Sequence, residues 1–277
     1  MAFFYGAQIM SSEPVKLLTI AGSDSGGAAG LQADLKTWTA LAVYGMSVIT
    51  AVTAQNSVQV TGIQYLPVEF VLAQLQAVLS DYGAQAVKTG FIGRAELITA
   101  ISQILNDYKR FHLVVDPVLV NHMGQPMFTE EVVQAYRSQL LPQANLITPN
   151  RHEAALLARL PEEETRNFEG LKKAVDKLHL LGASNVLITG NSEGDQMVDY
   201  WSDGTQLHHL SVPRIETENR HGSGDTLSAA ICAFLAKGES MGDAIVNGQQ
   251  FTAKALRSAA SWQLGHGHGP LSHLAGK

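Results

Sequence analysis

The chain has 277 residues, of which 45% are hydrophobic and 16% charged, and a formal net charge of −6. That apolar content supports a sizeable buried core and excludes a disordered chain. The acidic balance, with no run rich in Lys or Arg, excludes a nucleic-acid-binding surface but leaves room for a small anionic substrate at a helix terminus.

Residues 1–14 contain apolar side chains but neither the basic start nor the apolar core of an export signal, and they read as a flexible extension with Met10 as a second candidate start. No run approaches the about 18 apolar residues that a membrane span needs. From residue 15 onward, short apolar runs alternate with longer stretches of helical spacing. Strands are predicted at 15–21, 47–53, 86–89, 113–116, 146–148 and 186–189, mostly as unbroken apolar runs. Helices are predicted at 29–41, 69–82, 95–109, 130–141 and 169–181. This alternation implies an α/β fold with a mostly parallel sheet covered by helices on both faces. Residues 197–201 and 206–212 alternate across Ser202-Asp203-Gly204-Thr205 and read as an antiparallel hairpin at the sheet edge. Helices at 224–237 and 241–261 close the chain. With no linker, repeat or low-complexity tract, residues 15–277 read as one domain.

Ligands of such sheets collect beyond the carboxyl ends of the strands. Six polar or glycine-rich clusters fall there: Gly22-Ser23-Asp24-Ser25-Gly26-Gly27, Gln55-Asn56, Thr89-Gly90, Asp116-Pro117, Thr148-Pro149-Asn150 and Thr189-Gly190-Asn191. The first resembles a phosphate-cradling turn but lacks the Gly-Lys-Ser/Thr of a P-loop, so a substrate-approach loop suits it better. An amide both donates and accepts, which suits Gln55 to a ring nitrogen and an exocyclic amine. The carboxylate of Asp34, in the helix after that loop, suits a hydroxymethyl group or an amine. Asp116 and Glu153 are candidates for holding Mg²⁺ through water, with Asn150 as a neutral addition. Each of these residues also fits an ordinary cap or turn.

The segment His221-Gly222-Ser223-Gly224-Asp225-Thr226 precedes an apolar helical run. Two glycines and a helix N-terminus gather N–H groups into an anion hole suited to a phosphoryl group. Within such a hole Asp225 makes sense as a base for a substrate hydroxyl; as an alternative it caps a plain helix start. Cys232, the only cysteine, lies in that run, where it reads as a small buried hydrophobe; its solitude excludes an intrachain disulfide and suits a reducing cytoplasm. His266, His268 and His273 lack partner ligands and read as a surface loop rather than a metal site.

These segments together resemble the hydroxymethylpyrimidine/phosphomethylpyrimidine kinases of the ribokinase superfamily. The resemblance is carried in order by Gly22 to Gly27 with Gln32-Ala33-Asp34-Leu35-Lys36-Thr37, Val48 to Asn56, Val87-Lys88-Thr89-Gly90, Asp116-Pro117-Val118, Thr148-Pro149-Asn150 with Glu153-Ala154, His221 to Gly224 before Thr226 to Ala230, and Gly267-His268-Gly269-Pro270. It implies a ribokinase-like fold and transfer of the γ-phosphoryl group of ATP to a hydroxymethylpyrimidine or its monophosphate on the route to thiamine diphosphate. It places Gly22, Asp34 and Gln55 at the pyrimidine, Asn150 and Thr189 at the nucleotide, Asp116 and Glu153 around Mg²⁺, and the backbone from Gly222 through Ser223 and Gly224 to Asp225 in the anion hole. It also implies a cytoplasmic homodimer. Two positions depart from the pattern. The pyrimidine kinases usually carry Cys where this chain has Asp225, whereas sugar and pyridoxal kinases of the superfamily carry Asp. They also carry Lys-Gly-Gly where this chain has Thr189-Gly190-Asn191, so a cation is missing near the nucleotide phosphates. A pyridoxal kinase and a silent pyrimidine-binding regulator are the alternative functions.

Overall fold

The strand β1 (Lys16–Asp24) carries Leu17, Leu18, Ile20 and Ala21, all without solvent exposure. Successive strand residues point to opposite faces, so an unbroken apolar run needs cover on both. The computed structural model, which describes residues 13–108, 110–121 and 123–274, supplies that cover. β1 pairs in parallel with β2 (Tyr44–Gln55) and, on its other side, with β4 (Ala86–Thr89). The parallel array continues through β5 (His112–Val115), β6 (Leu146–Ile147) and β7 (Val186–Glu193). Three antiparallel strands complete it: β3 (Val60–Tyr65) beside β2, and the hairpin of β8 (Gln196–Ser202) and β9 (Leu207–Pro213) beside β7. The order across the nine-stranded sheet is β3-β2-β1-β4-β5-β6-β7-β8-β9.

One face buries Leu18, Val87, Val115 and Ile188 against helices α2 (Val68–Asp81), α3 (Ala95–Tyr108), α4 (Glu130–Ala135), α5 (Arg151–Ala158) and α6 (Phe168–Leu180). The opposite face buries Leu17, Ala86, Val114 and Leu187 against α1 (Gly30–Ala40), α7 (Ser223–Ala236) and α8 (Met241–Ala259). Trp38 of α1 is wholly buried there and donates from its indole nitrogen to the Ala229 carbonyl at 2.9 Å. This bond ties α1 to α7, the two helices whose N-termini shape the site. Cys232 lies in the same core, as expected of a small buried hydrophobe.

The structure departs from the expected elements in particular places. β3 was not among them, because five of its six residues are exposed and it is held by pairing with β2 rather than by apolar burial. The expected helix 130–141 leaves α geometry after Ala135, passing through a π-helical turn at Tyr136–Leu140 and a 3₁₀ turn at Leu141–Gln143. α5 and the 3₁₀ turn at Glu162–Arg166 are additional. β7 runs past Ile188 through a bulge, so Thr189, Gly190 and Asn191 lie within the strand rather than beyond it. The expected extension falls largely on residues 1–12, outside the described residues.

Candidate active site

Two loops meet at the rim. The buried Asp24 carboxylate at the end of β1 accepts from the backbone N–H groups of Gly26 at 2.7 Å and of Ala28 and Ala29 at 2.9 Å. This shapes the loop before α1, and its Ala28 carbonyl then lies against Gly222. A Cβ built on Gly222 would stand 1.9 Å from that oxygen, and the residue has φ +82°, so only glycine satisfies both demands. Gly222 starts α7 without any side-chain cap, which removes the capping alternative for Asp225. The Ser223 N–H donates to the Arg220 carbonyl at 3.2 Å and the Thr226 N–H to the Gly222 carbonyl at 2.9 Å. Among the described residues the N–H groups of Gly222, Gly224 and Asp225 have no partner. The start of α7 therefore has three free donors, while the Ser223 amide is committed to the Arg220 carbonyl.

Behind the hole stands Lys88, wholly buried on β4. Its Nζ lies 2.9 Å from Oδ1 of Asp34, 3.4 Å from Oδ1 of Asp225 and 3.9 Å from Oδ2 of Asp116. Burial alone pushes an ammonium down, but the three carboxylates outweigh it and hold Lys88 above its ordinary range. Burial pushes Asp34 upward against the opposing pull of Lys88. Burial likewise raises Asp116 to about 6, with Lys88 opposing and Asp225 adding to the rise. The Ser228 hydroxyl donates to Asp116 Oδ2 at 2.9 Å and so holds it from α7. Lys88 and Ser228 were not assigned roles from the sequence, although the family segment Val87-Lys88-Thr89-Gly90 contains the lysine.

Asp34 has no solvent exposure. Its Oδ2 also accepts from the Thr19 hydroxyl at 2.6 Å. It is thus a buried counter-ion of Lys88. Gln55, at the end of β2, remains half-buried at the rim, with its side-chain Nε2 2.8 Å from His221 Nε2. Gly22 lies against Phe91, whose ring would be 3.1 Å from an added Cβ. Phe91 stacks on Tyr65 at a centroid distance of 6.1 Å and leans on Phe128 at 5.5 Å, an aromatic wall beside Gly22 that sequence reasoning missed.

Asn150 caps α5: its Oδ1 accepts from His152 and Glu153 N–H at 3.0 Å each, and Glu153 returns a bond from Oε2 to the Asn150 N–H at 3.0 Å. The other Glu153 oxygen accepts from the Leu119 N–H at 2.8 Å. Burial, then the nearby Asp116, raises the Glu153 carboxyl to about 7 against these N–H donors. Each of its oxygens thus accepts from a backbone N–H group. We expect Asn150→Ala to lower stability by about 1 kcal/mol, the usual cost of an N-cap, measured by denaturant unfolding. Thr189 bridges Asn150, donating its N–H to the Pro149 carbonyl at 3.0 Å, so the two expected nucleotide residues are neighbours.

The tail 265–273 folds back over the site. Its His266 and Gly267 N–H groups donate to the Ser57 hydroxyl at 3.1 and 3.2 Å, and the His268 N–H to the Ser57 carbonyl at 3.0 Å. The His221 N–H in turn donates to the Gly269 carbonyl at 3.1 Å. His273 is buried against Thr226, with Nε2 2.9 Å from Oγ1, which corrects its reading as a surface residue. Burial, then Lys36, holds it down at about 4 against Asp225. Between the ordinary histidine value of 6.5 and about 4 the unfolded chain binds a proton that the folded chain refuses. Stability is therefore full above pH 6.5 and falls as the pH drops to about 4. His273→Gln should flatten the melting-temperature profile across that window.

Residues 24–272 match the profile of the family described as phosphomethylpyrimidine kinase. A hydroxymethylpyrimidine/phosphomethylpyrimidine kinase of Rhizobium meliloti is 43% identical over 93% of this chain and 96% of its own. A thiamine biosynthesis bifunctional protein of Geobacter sulfurreducens is 44% identical over 93% of this chain, which spans 52% of that longer relative. The structure of the pyridoxal kinase from Staphylococcus aureus in complex with ADP superimposes with a TM-score of 0.88 at 33% identity, covering 95% of each chain. The sheet, the glycine-backed hole and these likenesses agree: the chain belongs to the phosphomethylpyrimidine kinase family, has its ribokinase-like fold, and is a phosphotransferase.

Proposed function

We propose that the protein transfers the γ-phosphoryl group of ATP to 4-amino-5-hydroxymethyl-2-methylpyrimidine, its monophosphate, or both, in thiamine biosynthesis. The observation that carries this reading is the mouth of α7. Three N–H groups unpaired among the described residues, those of Gly222, Gly224 and Asp225, lie there at the start of α7, and the Asp225 side chain is 16% exposed. Asp225 Oδ1 faces Lys88, so Oδ2 is left to accept the substrate hydroxyl proton. The hydroxyl oxygen then bonds to the γ-phosphorus as the bond to the β,γ-bridging oxygen breaks, and ADP leaves with that electron pair. The Gly222, Gly224 and Asp225 amides stabilise charge on the group in flight. Gln55 would read the ring nitrogen and amine, Gly22 and Phe91 would bound the ring, and Asn150 and Thr189 would face the nucleotide.

Among the described residues no three His, Cys, Asp or Glu side chains form a metal cage. That fits Mg²⁺, which typically takes one or two carboxylates with phosphate oxygens and water. Asp116 would hold it, and bound there it would neutralise phosphate charge. A homodimer and a cytoplasmic location belong to the same proposal. The exposed Val58, Val60 and Ile63 around β3 offer an apolar edge for a second copy. The buried single cysteine suits a reducing compartment. The continuous sheet supports one domain over 15–277.

Pyridoxal is the second reading, favoured by Asp225 and by the likeness to the Staphylococcus aureus pyridoxal kinase. ADP release with Mg-ATP and the aminopyrimidine alcohol, its phosphate, or pyridoxal separates the two. Turnover on pyridoxal alone overturns the pyrimidine assignment, and binding without ADP release favours a silent regulator.

A further inference from the structure

A lysine with no solvent exposure in the middle of a parallel sheet needs partners, because an unpaired buried charge is costly. Lys88 has three, each brought by a different element: Asp34 on α1, Asp116 beyond β5 and Asp225 in the first turn of α7. An ammonium carries three N–H donors, and three carboxylates stand within 3.9 Å of it. The contacts are unequal. Asp34 is nearest, with Oδ1 at 2.9 Å and Oδ2 at 3.1 Å, and it is sealed from solvent. Asp225 receives the ammonium on one oxygen only, at 3.4 Å. Asp34 therefore grips the lysine from behind, and the lysine reaches forward to the mouth of α7.

We propose that Lys88 is the positioning residue of the base: anchored by Asp34, its ammonium holds one oxygen of Asp225 and so aims the other at the substrate hydroxyl. The inference rests on Asp225 being the base. Its physical content is the crowding of three carboxyl groups around one ammonium. Without the ammonium, Asp225 faces Asp34 and Asp116 unopposed, and repulsion turns its carboxylate out of line. With it, the carboxylate is tied to β4, the strand between β1 and β5 inside the sheet. Asp34 acts in this scheme without touching the substrate. That distinguishes it from a substrate-binding carboxylate, whose loss would raise KM.

The test is steady-state ADP release by the full chain with Mg-ATP and 4-amino-5-hydroxymethyl-2-methylpyrimidine, with melting and calorimetric ATP binding as folding controls. Asp34→Asn keeps the volume and the Thr19 contact, and is expected to lower kcat by about 10–100-fold through misplacement of the base while KM for the pyrimidine stays within about twofold. Lys88→Met is expected to approach the loss of Asp225→Asn, and the double variant to lose no more than Asp225→Asn alone, as for groups that act as one unit. An Asp34→Asn variant with raised KM and unchanged kcat overturns the proposal, as do losses that multiply in the double variant. Should Lys88→Met fail to fold, the kcat and KM of Asp34→Asn decide. Near-normal turnover by Asp225→Asn removes the base itself, an outcome distinct from an Asp225→Asn variant that is inactive beside an Asp34→Asn variant that is unaffected.

Discussion

Asp225→Asn is expected to lower kcat by about 10²–10⁴-fold while ATP binding and cooperative folding persist. The amide has nearly the shape of the carboxylate and still accepts from Lys88, but it takes no proton from a hydroxyl at neutral pH. The Gly222, Gly224 and Asp225 N–H groups remain in place, because they belong to the backbone. Residual turnover therefore measures what the anion hole and positioning achieve without a base. Single-turnover kinetics and calorimetry with ADP separate the two contributions. A variant keeping more than about a tenth of the turnover would exclude Asp225 as the proton acceptor.

The second large effect is expected at Gly222. An alanine there must adopt φ near +82° and place its Cβ within 1.9 Å of the Ala28 carbonyl, a separation no pair of such atoms tolerates. The two loops have to part, which moves the free amides away from the phosphoryl position. Gly222→Ala should lose about 10²–10³-fold in kcat, as when a transition-state donor is withdrawn. The left-handed backbone strain adds a stability cost of about 1–3 kcal/mol. Unlike Asp225→Asn, it should show both losses, so melting and kinetics measured together distinguish a misplaced hole from a missing base.

What the sequence disclosed follows from burial. β1, β4 and β5 were legible because both faces of these strands are covered and most of their buried residues are apolar. β3 was not, since an exposed edge strand leaves little trace in residue type. The glycine-constrained turn before α7 was legible from Gly222 and Gly224, whose constraint is local. The pairing of Asp34 with Lys88 was hidden for the opposite reason: the lysine is 54 residues away, and only the packing of α1 over β4 joins them. A signal was nevertheless present. A lysine inside a segment read as a buried strand implies a nearby carboxylate. The capping box made by Glu153 was not legible, because a carboxylate in a first helical turn looks the same whether it faces a cation or its own backbone. His273 was assigned to a glycine-rich surface tail, although the chain turns inward after Pro270.

The bonds from the tail to Ser57 and His221 span up to 210 residues of sequence. Their consequence lies in biosynthesis. A nascent chain emerging from the ribosome can pair β1 and β2 early, yet the turn that begins α7 gains its Gly269 partner only after residue 269 has been released. The fastening of the α7 turn thus comes after the strands have been made, so a chain clipped before residue 265 would keep the sheet residues but lose the bonds that tie Ser57 and His221 to the tail.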